Sequence, residues 1–342
     1  MVTVKKEGVL LSATDHDFEN EGVLNPAVIR EGDDTVHLLY RAVRKGNFSS
    51  IGYCKLDGPL KVADRMIAPL LSAENDDERH GMEDPRLVRI EDTYYLSYVA
   101  FDGDDALGAV ATSTNLVHFD KKGIIVPQIT CSRFDALAKG NNNEIMARYR
   151  DDYNAPNVII MDKDVVFFPR RMKGKLLFMH RIKPDIQLVA IDSLDELTED
   201  FWEAYITSLK DNIMLTPKNL HELAYIGAGC PPVETEHGWL IIYHGVQHYD
   251  NGYHYSACAA LVDLDDPRKE IARLPYPLFV PDQPFEMAGD VDNVCFPTGT
   301  ALFDDTLYIY YGAGDDVIAA ASVSLRDLVD ELLTFKVAQS IA

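Results

Sequence analysis

Residues 81–98 read GMEDPRLVRIEDTYYLSY: an apolar run led by Pro85, a polar turn at Glu91-Asp92, and a second apolar run that ends at Tyr98. Two mainly apolar runs that flank a short polar turn are typical of a β-hairpin. The same order of features recurs along the chain, so we interpret this stretch as one copy of a repeat.

Five copies of this pattern can be aligned. Each has a proline, a short apolar strand, a polar turn and a second strand that ends in Tyr or His, and a third apolar strand follows. The copies begin at Asn25-Pro26, Asp84-Pro85, Phe168-Pro169, Pro231-Pro232 and Phe296-Pro297. Five such units predict an all-β fold, a five-bladed β-propeller whose inner strands line a central funnel. A large β-sandwich would explain the strands but not their repeated order.

The repeat predicts a single domain over residues 1–342, with blades at roughly 23–62, 82–120, 163–197, 231–267 and 296–330. Short helical insertions are expected between the blades. A polar insertion over residues 130–160 lengthens the spacing between the second and third copies, and a second helical stretch is expected from Leu194 to Leu209. Insertions of this kind often shape a binding cleft.

The charge of the chain restricts its partners. The 342 residues carry a formal net charge of −23 at pH 7, and 47% of them are apolar, which suits a folded protein with a large core. Because nucleic acids and anionic membranes are bound through clustered Lys and Arg, neither is expected as a partner. A substrate that contains phosphate would require a local concentration of the 32 basic residues.

The N-terminal residues and the cysteines indicate a compartment. Met1 to Glu7 are followed by mixed polar sequence, without the apolar core of a signal peptide or of a spanning helix. Five scattered cysteines without a CxxC pair fit neither a disulfide framework nor a zinc site, so a cytoplasmic location is expected. No metal is expected, since the His residues lack ligand spacing and no Asp-rich calcium loop is present.

Polar residues near the inner strands are expected to meet on the propeller axis. They are Asn25, Glu83, Asp84, Arg86, Lys163, Asp164, Arg181, His244 and Asp315. Carboxylates, an amide and cations together suit sugar hydroxyls and a developing oxocarbenium ion. Because Asp84 precedes Pro85, its backbone is expected to be extended and its side chain to be held in a fixed direction.

Each of these features also has an ordinary structural explanation. The tetrapeptide Glu83-Asp84-Pro85-Arg86 fits a turn with a surface ion pair, and Lys163-Asp164 fits the solvated start of a strand. His180-Arg181 and His244 end apolar strands, where a lone His is more often a hydrogen-bonded core residue than a catalytic one. Spacing alone leaves the function open.

The hexapeptide Gly81-Met82-Glu83-Asp84-Pro85-Arg86 resembles the signature of glycoside hydrolase family 130, the inverting β-mannoside phosphorylases and related mannosidases. The resemblance covers roughly residues 20 to 325 in the same order, through Leu24-Asn25-Pro26-Ala27, Lys163 to Pro169, His180-Arg181, Ile226-Gly227-Ala228-Gly229, Gly238 to Gly245, Phe296 to Gly299 and Tyr310 to Asp315. It implies a five-bladed propeller, in agreement with the repeat.

The resemblance implies that Asp84 is the catalytic acid, which protonates the glycosidic oxygen through a substrate hydroxyl. Inorganic phosphate then attacks the anomeric carbon from the opposite face and yields mannose 1-phosphate. Such a reaction needs no protein nucleophile and no cofactor, because phosphate is the co-substrate. The implied partners are a β-mannoside oligosaccharide and phosphate.

The remaining site residues follow from the resemblance position by position. Those that match the phosphate site are Lys163, Arg181 and His244, and an Arg fork and a Lys point charge suit an oxyanion. Those assigned to substrate binding are Asn25, Arg41, Glu83, Arg86, Tyr225 and Asp315. One position departs from the pattern: some members have Lys before the Ile-Gly-Ala-Gly segment, where this chain has Tyr225, so the phosphate site is expected to differ there.

Three functions stay open at this level. The first is a phosphorylase, and the second is a hydrolase on the same scaffold that uses Glu83 or Glu222 to activate water. Three cations around the attacking water would lower the pKa of such a base, which favours the phosphorylase. The third is a carbohydrate-binding propeller without catalysis. The linkage, β-1,2 or β-1,4, the acceptor sugar and assembly into a homo-oligomer are left undecided.

Overall fold

The computed structural model describes residues 1–138, 156–250 and 252–337. Within these ranges, strands form five antiparallel sheets arranged as blades around an axis, which confirms the all-β, five-bladed β-propeller. Blades one and two are joined by a single bridge between Ser49 and Gly81.

The blades follow one another in chain order. Blade one is β2 (Gly22–Glu31), β3 (Thr35–Arg44), β4 (Phe48–Asp57) and β5 (Lys61–Arg65); blade two is β6 (Gly81–Ile90), β7 (Thr93–Phe101), β8 (Ala106–Ser113) and β9 (Asp120–Ile124); blade three is β10 (Lys163–Phe167), β11 (Leu176–Arg181), β12 (Ile186–Ile191) and β13 (Ile213–Leu215); blade four is β14 (Tyr225–Ala228), β15 (Val233–Thr235), β16 (Gly238–Tyr249), β17 (Gly252–Val262) and β18 (Glu270–Arg273); blade five is β19 (Cys295–Phe303), β20 (Thr306–Ala313), β21 (Val317–Ser324) and β1 (Lys5–Leu11).

Three blades differ from their expected bounds. Blade three extends past residue 197, because β13 (Ile213–Leu215) pairs with β12. Blade four begins at Tyr225 instead of residue 231, because the inner strand β14 pairs with β16 before the two prolines. Blade five is completed by β1, in which Lys5 pairs with Ser322 of β21. Neither β14 nor β1 contains a proline, so the repeat pattern did not reveal them.

Helices lie between and after the blades. In the described ranges they are α1 (Cys131–Ala138), α2 (Glu199–Thr207), α3 (Pro284–Met287) and α4 (Leu325–Thr334). The expected helical stretch from Leu194 is confirmed as a 3-10 helix, Leu194–Glu196, followed by α2. Of the expected insertion at 130–160, residues 139–155 lie outside the described residues. No described helix is long and apolar enough to cross a membrane.

The core lies between neighbouring blades. Val166 and Met179 of blade three, for example, pack in one buried cluster with Ile241 of blade four. In the same cluster the Trp239 indole, fully buried, meets the Phe168 ring edge-to-face at 5.3 Å. Burial of such apolar surface is the main favourable contribution to the free energy of folding. Apolar side chains therefore pack between the faces of neighbouring blades, and polar side chains line the funnel.

A buried carboxylate in each blade bonds the side chain near the end of the second hairpin strand. We call these five residues the carboxylate anchors: Glu19, Glu78, Asp162, Glu222 and Glu286, which bond Tyr40, Tyr98, His180, Tyr243 and Tyr311, respectively. Glu19, Glu78 and Glu222 each end a 3-10 helix just before an inner strand. The four glutamates also pair with a cation, namely Arg65, Lys121, Arg273 or Lys6.

The anchors determine which residues reach the funnel. Arg41, Arg181 and His244 each directly follow an anchored residue in the chain. Successive side chains of a strand point to opposite faces of the sheet. When the anchor holds one side chain on one face, the side chain of the following residue therefore points to the other face and reaches the funnel. His180 is therefore a structural residue, with Nδ1 at 2.7 Å from Asp162 and Nε2 at 2.8 Å from the Tyr205 hydroxyl.

Candidate active site

The funnel contains a cavity of about 350 Å³ to which all five blades contribute. Its lining includes eight of the nine residues assigned to phosphate or substrate binding and the predicted acid: Asn25, Arg41, Glu83, Asp84, Lys163, Arg181, Tyr225, His244 and Asp315. The exception is Arg86, which does not line the cavity. The structure therefore brings together residues that are far apart in the sequence.

The inner strands of blades one to three are bulged where they face the cavity. Asn25, Asp84 and Asp164 adopt positive φ angles of 50°, 47° and 56°. Each lies within a shift of strand register, as between Glu83 and Arg86 for Asp84. The expectation of an extended backbone at Asp84 was wrong, because the extra residue of a bulge requires a local turn, and Asn and Asp tolerate the left-handed region better than most residues.

Asp84 lies among donors and cations on the side of blades one and two. Its Oδ1 accepts a hydrogen bond from Asn25 Nδ2 at 2.7 Å and is 3.6 Å from Arg41 Nη1. Burial raises the pKa of Asp84, but Arg41, Lys163 and Arg86 outweigh burial and hold that pKa below its usual value. In the unliganded protein Asp84 is thus an ionised carboxylate at neutral pH.

Two more carboxylates line the cavity beside Asp84. Glu83 Oε1 accepts from Arg41 Nη2 at 2.8 Å, and its Oε2 is 3.9 Å from Lys163 Nζ. Burial raises the pKa of Asp315 to about 6 against the pull of Arg41, with Asp84 raising it further. Asp315 therefore changes charge near physiological pH.

Blades three and four contribute cations and an imidazole to the cavity. Lys163 and Arg181 both belong to blade three, and Arg181 Nε lies 2.7 Å from Asp164 Oδ2. His244 of blade four is buried and packs 4.4 Å from the Phe296 ring. Burial, then Arg181 and Arg86, hold the pKa of His244 well below its usual value, so the imidazole is neutral.

The His244 ring has unused hydrogen-bonding capacity. Neither ring nitrogen has a hydrogen-bond partner among the described residues, although Nε2 is 3.6 Å from Asp164 Oδ2. A neutral imidazole offers one donor and one acceptor, and a buried polar group without a partner is costly. This arrangement is suited to a ligand that accepts a hydrogen bond from His244.

Arg86 lies beneath the cavity and supports it. Its Nε donates to the Gly229 carbonyl at 2.5 Å and its Nη1 to the Asp84 carbonyl at 2.9 Å, while Nη2 is 4.0 Å from Asp164 Oδ1. Arg86 thus fixes the backbone of the bulge that carries Asp84, and its assignment to substrate binding stays a prediction.

Sequence reasoning missed several lining residues. Lys183 Nζ lies 4.1 Å from the centroid of the Tyr225 ring, and the Tyr225 hydroxyl is 2.6 Å from that of Tyr255. Lys183 stands two positions after Arg181 but beyond the end of β11, so the strand period does not identify it. Tyr255 had no signal either, because it reads as an ordinary strand residue, whereas Phe296 marks the start of the fifth repeat copy but was not assigned to the site.

Glu222 is not near the cavity. It is the anchor of blade four, bonded to Tyr243 and to the backbone amides of Lys218 and Asn219, so its expected alternative role as a base that activates water is wrong. Ligand atoms of His221, Glu222 and Cys258 lie within 4.8 Å of one another, but Glu222 is occupied by these bonds and by Arg273 at 3.3 Å. We assign no metal to this cluster.

Comparisons with known proteins identify the family. A family model described as beta-1,4-mannooligosaccharide phosphorylase matches residues 11–333. The 1,2-beta-oligomannan phosphorylase of Thermoanaerobacter sp. (strain X514) is 32% identical over 330 residues, which cover 94% of this chain and 96% of that protein. The beta-1,2-mannobiose phosphorylase of the same organism is 31% identical, with coverages of 94% and 97%.

A solved structure shows the same fold. The beta-1,2-mannobiose phosphorylase from Listeria innocua, in complex with beta-1,2-mannobiose, superposes with a TM-score of 0.73 at 20% identity, covering 97% of this chain and 99% of that one. At this level of sequence identity, the structural likeness supports the propeller fold alone.

Proposed function

The chain belongs to glycoside hydrolase family 130 and is an enzyme of the β-mannoside phosphorylase type, and we propose that it cleaves β-1,2-linked oligomannosides with inorganic phosphate to release α-mannose 1-phosphate. The β-1,2 linkage is proposed because two relatives that each match 94% of this chain act on that linkage by name. Asp84 is proposed as the acid, and Lys163, Arg181 and His244 as the phosphate site.

The observation that carries the proposal is the division of one cavity into two sides. Asp84 with Asn25 and Arg41 forms one side, and the cluster of Arg181 and His244 forms the other. Inverting displacement requires the nucleophile and the leaving group on opposite faces of the anomeric carbon, and this division provides both. A phosphate oxygen forms a bond to the anomeric carbon while the bond from that carbon to the leaving glycosidic oxygen breaks. The leaving glycosidic oxygen takes the proton of the acid.

The low pKa of Asp84 in the unliganded protein couples the two sides. The pKa is held down by cations that include Lys163, and an anion bound beside Lys163 would offset that charge and raise the pKa of Asp84. Phosphate binding thereby favours the protonated carboxyl that the leaving oxygen needs. A hydrolase is less well supported, because both oxygens of Glu83 already face cations.

Other properties remain predictions of the proposal. The five cysteines are unpaired and buried, which supports a reducing cytoplasm. We expect no cofactor besides phosphate as co-substrate and no nucleic-acid partner, and the oligomeric state is to be measured.

The test is product identification by ³¹P NMR and sugar chromatography, with β-1,2- and β-1,4-mannobiose, each with and without phosphate. We expect mannose 1-phosphate from the β-1,2 substrate only when phosphate is present. Lys163→Met should raise KM for phosphate about 10-fold, the loss of one charge-assisted contact, while Lys173→Met, an exposed turn residue of the same blade, should not. Free mannose in phosphate-free buffer would overturn the phosphorylase, and cleavage of the β-1,4 substrate alone would overturn the linkage.

A further inference from the structure

We propose that a groove between blades one and two binds the distal mannosyl units of the leaving oligosaccharide, so that the enzyme favours substrates longer than the disaccharide. The groove is a second cavity of about 380 Å³, whose walls include Arg44, Phe48, Ser49, Arg79 and His80. This inference rests on the proposed function, because the direction of the leaving group follows from it.

The groove is connected to the active site through Arg41. Arg41 Nε donates to Ser49 Oγ, in the groove wall, at 2.8 Å. The same guanidinium lies 2.8 Å from Glu83 and 3.6 Å from Asp84. One side chain therefore separates the acid from the groove.

Close packing fixes the border between the groove and the active site. Gly81 lies three positions before Asp84 and bridges Ser49, and a Cβ at Gly81 would approach the Ser49 backbone to 2.5 Å. Gly81 also has a φ of 144°, which L side chains rarely adopt. A larger residue there would force the two blades apart at the border between groove and site.

The geometry of displacement gives the direction in which the oligosaccharide leaves. The proposed phosphate site lies on blades three and four, with Arg181 and His244. Since the leaving group departs from the face opposite to the nucleophile, it departs on the side of Asp84, which is the side of blades one and two. The groove lies between these two blades, so the chain beyond the first leaving sugar would enter it.

The chemistry of the groove suits a neutral sugar. The Phe48 and His80 rings stack with centroids 5.0 Å apart, and the Arg44 guanidinium lies 4.8 Å from the Phe48 centroid. Arg79 pairs with Asp104 at 3.1 Å and Asp102 at 3.5 Å, so its charge is already offset. Aromatic walls with a few polar groups are typical of small-ligand sites, and offset charges favour a polyhydroxylated ligand over an anion.

A second aromatic surface provides the control. The β16–β17 hairpin of blade four carries Tyr253, which is 46% exposed and lies 6.3 Å from the Tyr225 ring. It packs beside Tyr225, a lining residue from blade four, on the side where the displacement geometry places phosphate and not the leaving group. Removal of the Tyr253 ring should therefore leave chain-length preference unchanged.

The experiment measures kcat/KM at saturating phosphate for β-1,2-mannobiose and β-1,2-mannotetraose. Phe48→Ala should lower the tetraose-to-biose ratio about 10-fold, the equivalent of about 1.4 kcal/mol for one lost ring contact, without lowering the value for mannobiose. Arg44→Ser, at an exposed position where folding is not at risk, should lower the ratio about 3-fold. Tyr253→Ala should leave it as in the wild type.

The outcomes separate this inference from the proposed function. If the wild type turns over with phosphate and both Phe48→Ala and Arg44→Ser keep the wild-type ratio, the groove is not a sugar site. If Tyr253→Ala lowers the ratio instead, the leaving oligosaccharide lies along blade four. If the wild type shows no phosphorolysis, the proposed function fails, and calorimetric titration of Phe48→Ala with mannotetraose, without phosphate, still decides whether the groove binds the sugar.

Discussion

The carboxylates of the blades and those of the funnel have the same chemistry but different surroundings. In the blades, Glu222 accepts from Tyr243 and from two backbone amides and pairs with Arg273. In the funnel, Asp164 lies beside a His244 ring whose two nitrogens lack hydrogen-bond partners among the described residues. The blade carboxylates are satisfied by the protein, whereas the funnel is arranged for groups that the protein does not supply.

This difference separates structure from function more clearly than residue type does. Among the described residues, the funnel and its floor hold four buried side-chain atoms without a hydrogen-bond partner: Asn25 Oδ1, Arg86 Nη2 and both nitrogens of His244. Native proteins rarely leave buried polar groups without a hydrogen-bond partner. Their concentration here marks the place of a polar ligand, independently of any family resemblance.

The largest expected effect comes from replacing the funnel carboxylate that is assigned to proton transfer. Asp84→Asn should lower kcat for phosphorolysis about 10³-fold, since general acid catalysis contributes 10²–10⁴. The thermal unfolding midpoint should stay close to that of the wild type, because the amide can still accept from Asn25. Asp92→Asn, on the exposed outer turn of the same blade, is the matched control for both measurements. Retention of full activity by Asp84→Asn would remove Asp84 from the role of acid.

A blade carboxylate should give the reverse result. Glu222→Gln should lower the free energy of unfolding by about 2–3 kcal/mol, because it weakens a buried network with Arg273 and Tyr243. It should lower kcat of the folded enzyme far less than Asp84→Asn does, because the Gln oxygen can still accept from Tyr243 and keep His244 in place. Urea unfolding measures the free energy of unfolding, and kinetics normalised to the concentration of active sites measure kcat.

The control for Glu222 lies in the same blade. Glu234 forms a bidentate pair with Arg170 at 2.8 and 2.7 Å, but both side chains are about half exposed. Glu234→Gln should therefore cost less than about 1 kcal/mol. Equal losses for Glu222 and Glu234 would contradict the distinction between anchors and surface pairs.

The smallest expected effect concerns Asp315, a funnel carboxylate whose contribution to stability depends on pH. Its pKa of about 6 in the folded protein exceeds its ordinary value of 3.8, so the stability it contributes is present at low pH and lost as pH rises through 6. Asp315→Asn should thus raise the unfolding midpoint by about 2 °C at pH 8 and by only about a third as much at pH 4.5, because the loss of stability begins above the ordinary pKa of 3.8. Scanning calorimetry at both pH values measures this, and a difference of the same size at pH 4.5 would show that burial of the charge is not the cause.

The sequence predicts the fold and the inner ring of site residues for one physical reason. Inner-strand residues such as Asn25 and Asp84 lie at fixed offsets from prolines, so the repeat reveals them together. The anchors were missed because Glu19, Glu78 and Glu222 lie in short 3-10 helices before the strands, outside the strand period. Lys183 and Tyr255 reach the cavity from neighbouring strands and turns, and their approach depends on how the blades pack.

The strand β1 that completes blade five also sets an order of assembly during synthesis. Lys5 is made long before its partner Ser322, so this pairing closes a loop that spans nearly the whole chain. Contacts between residues so distant in sequence form late, because the entropy of closure must be lost before the contacts form. The earlier blades can fold as the chain emerges, but the ring that brings Asp84 of blade two beside Asp315 of blade five closes only at the end. Catalytic competence should therefore appear in a single late step and not grow blade by blade.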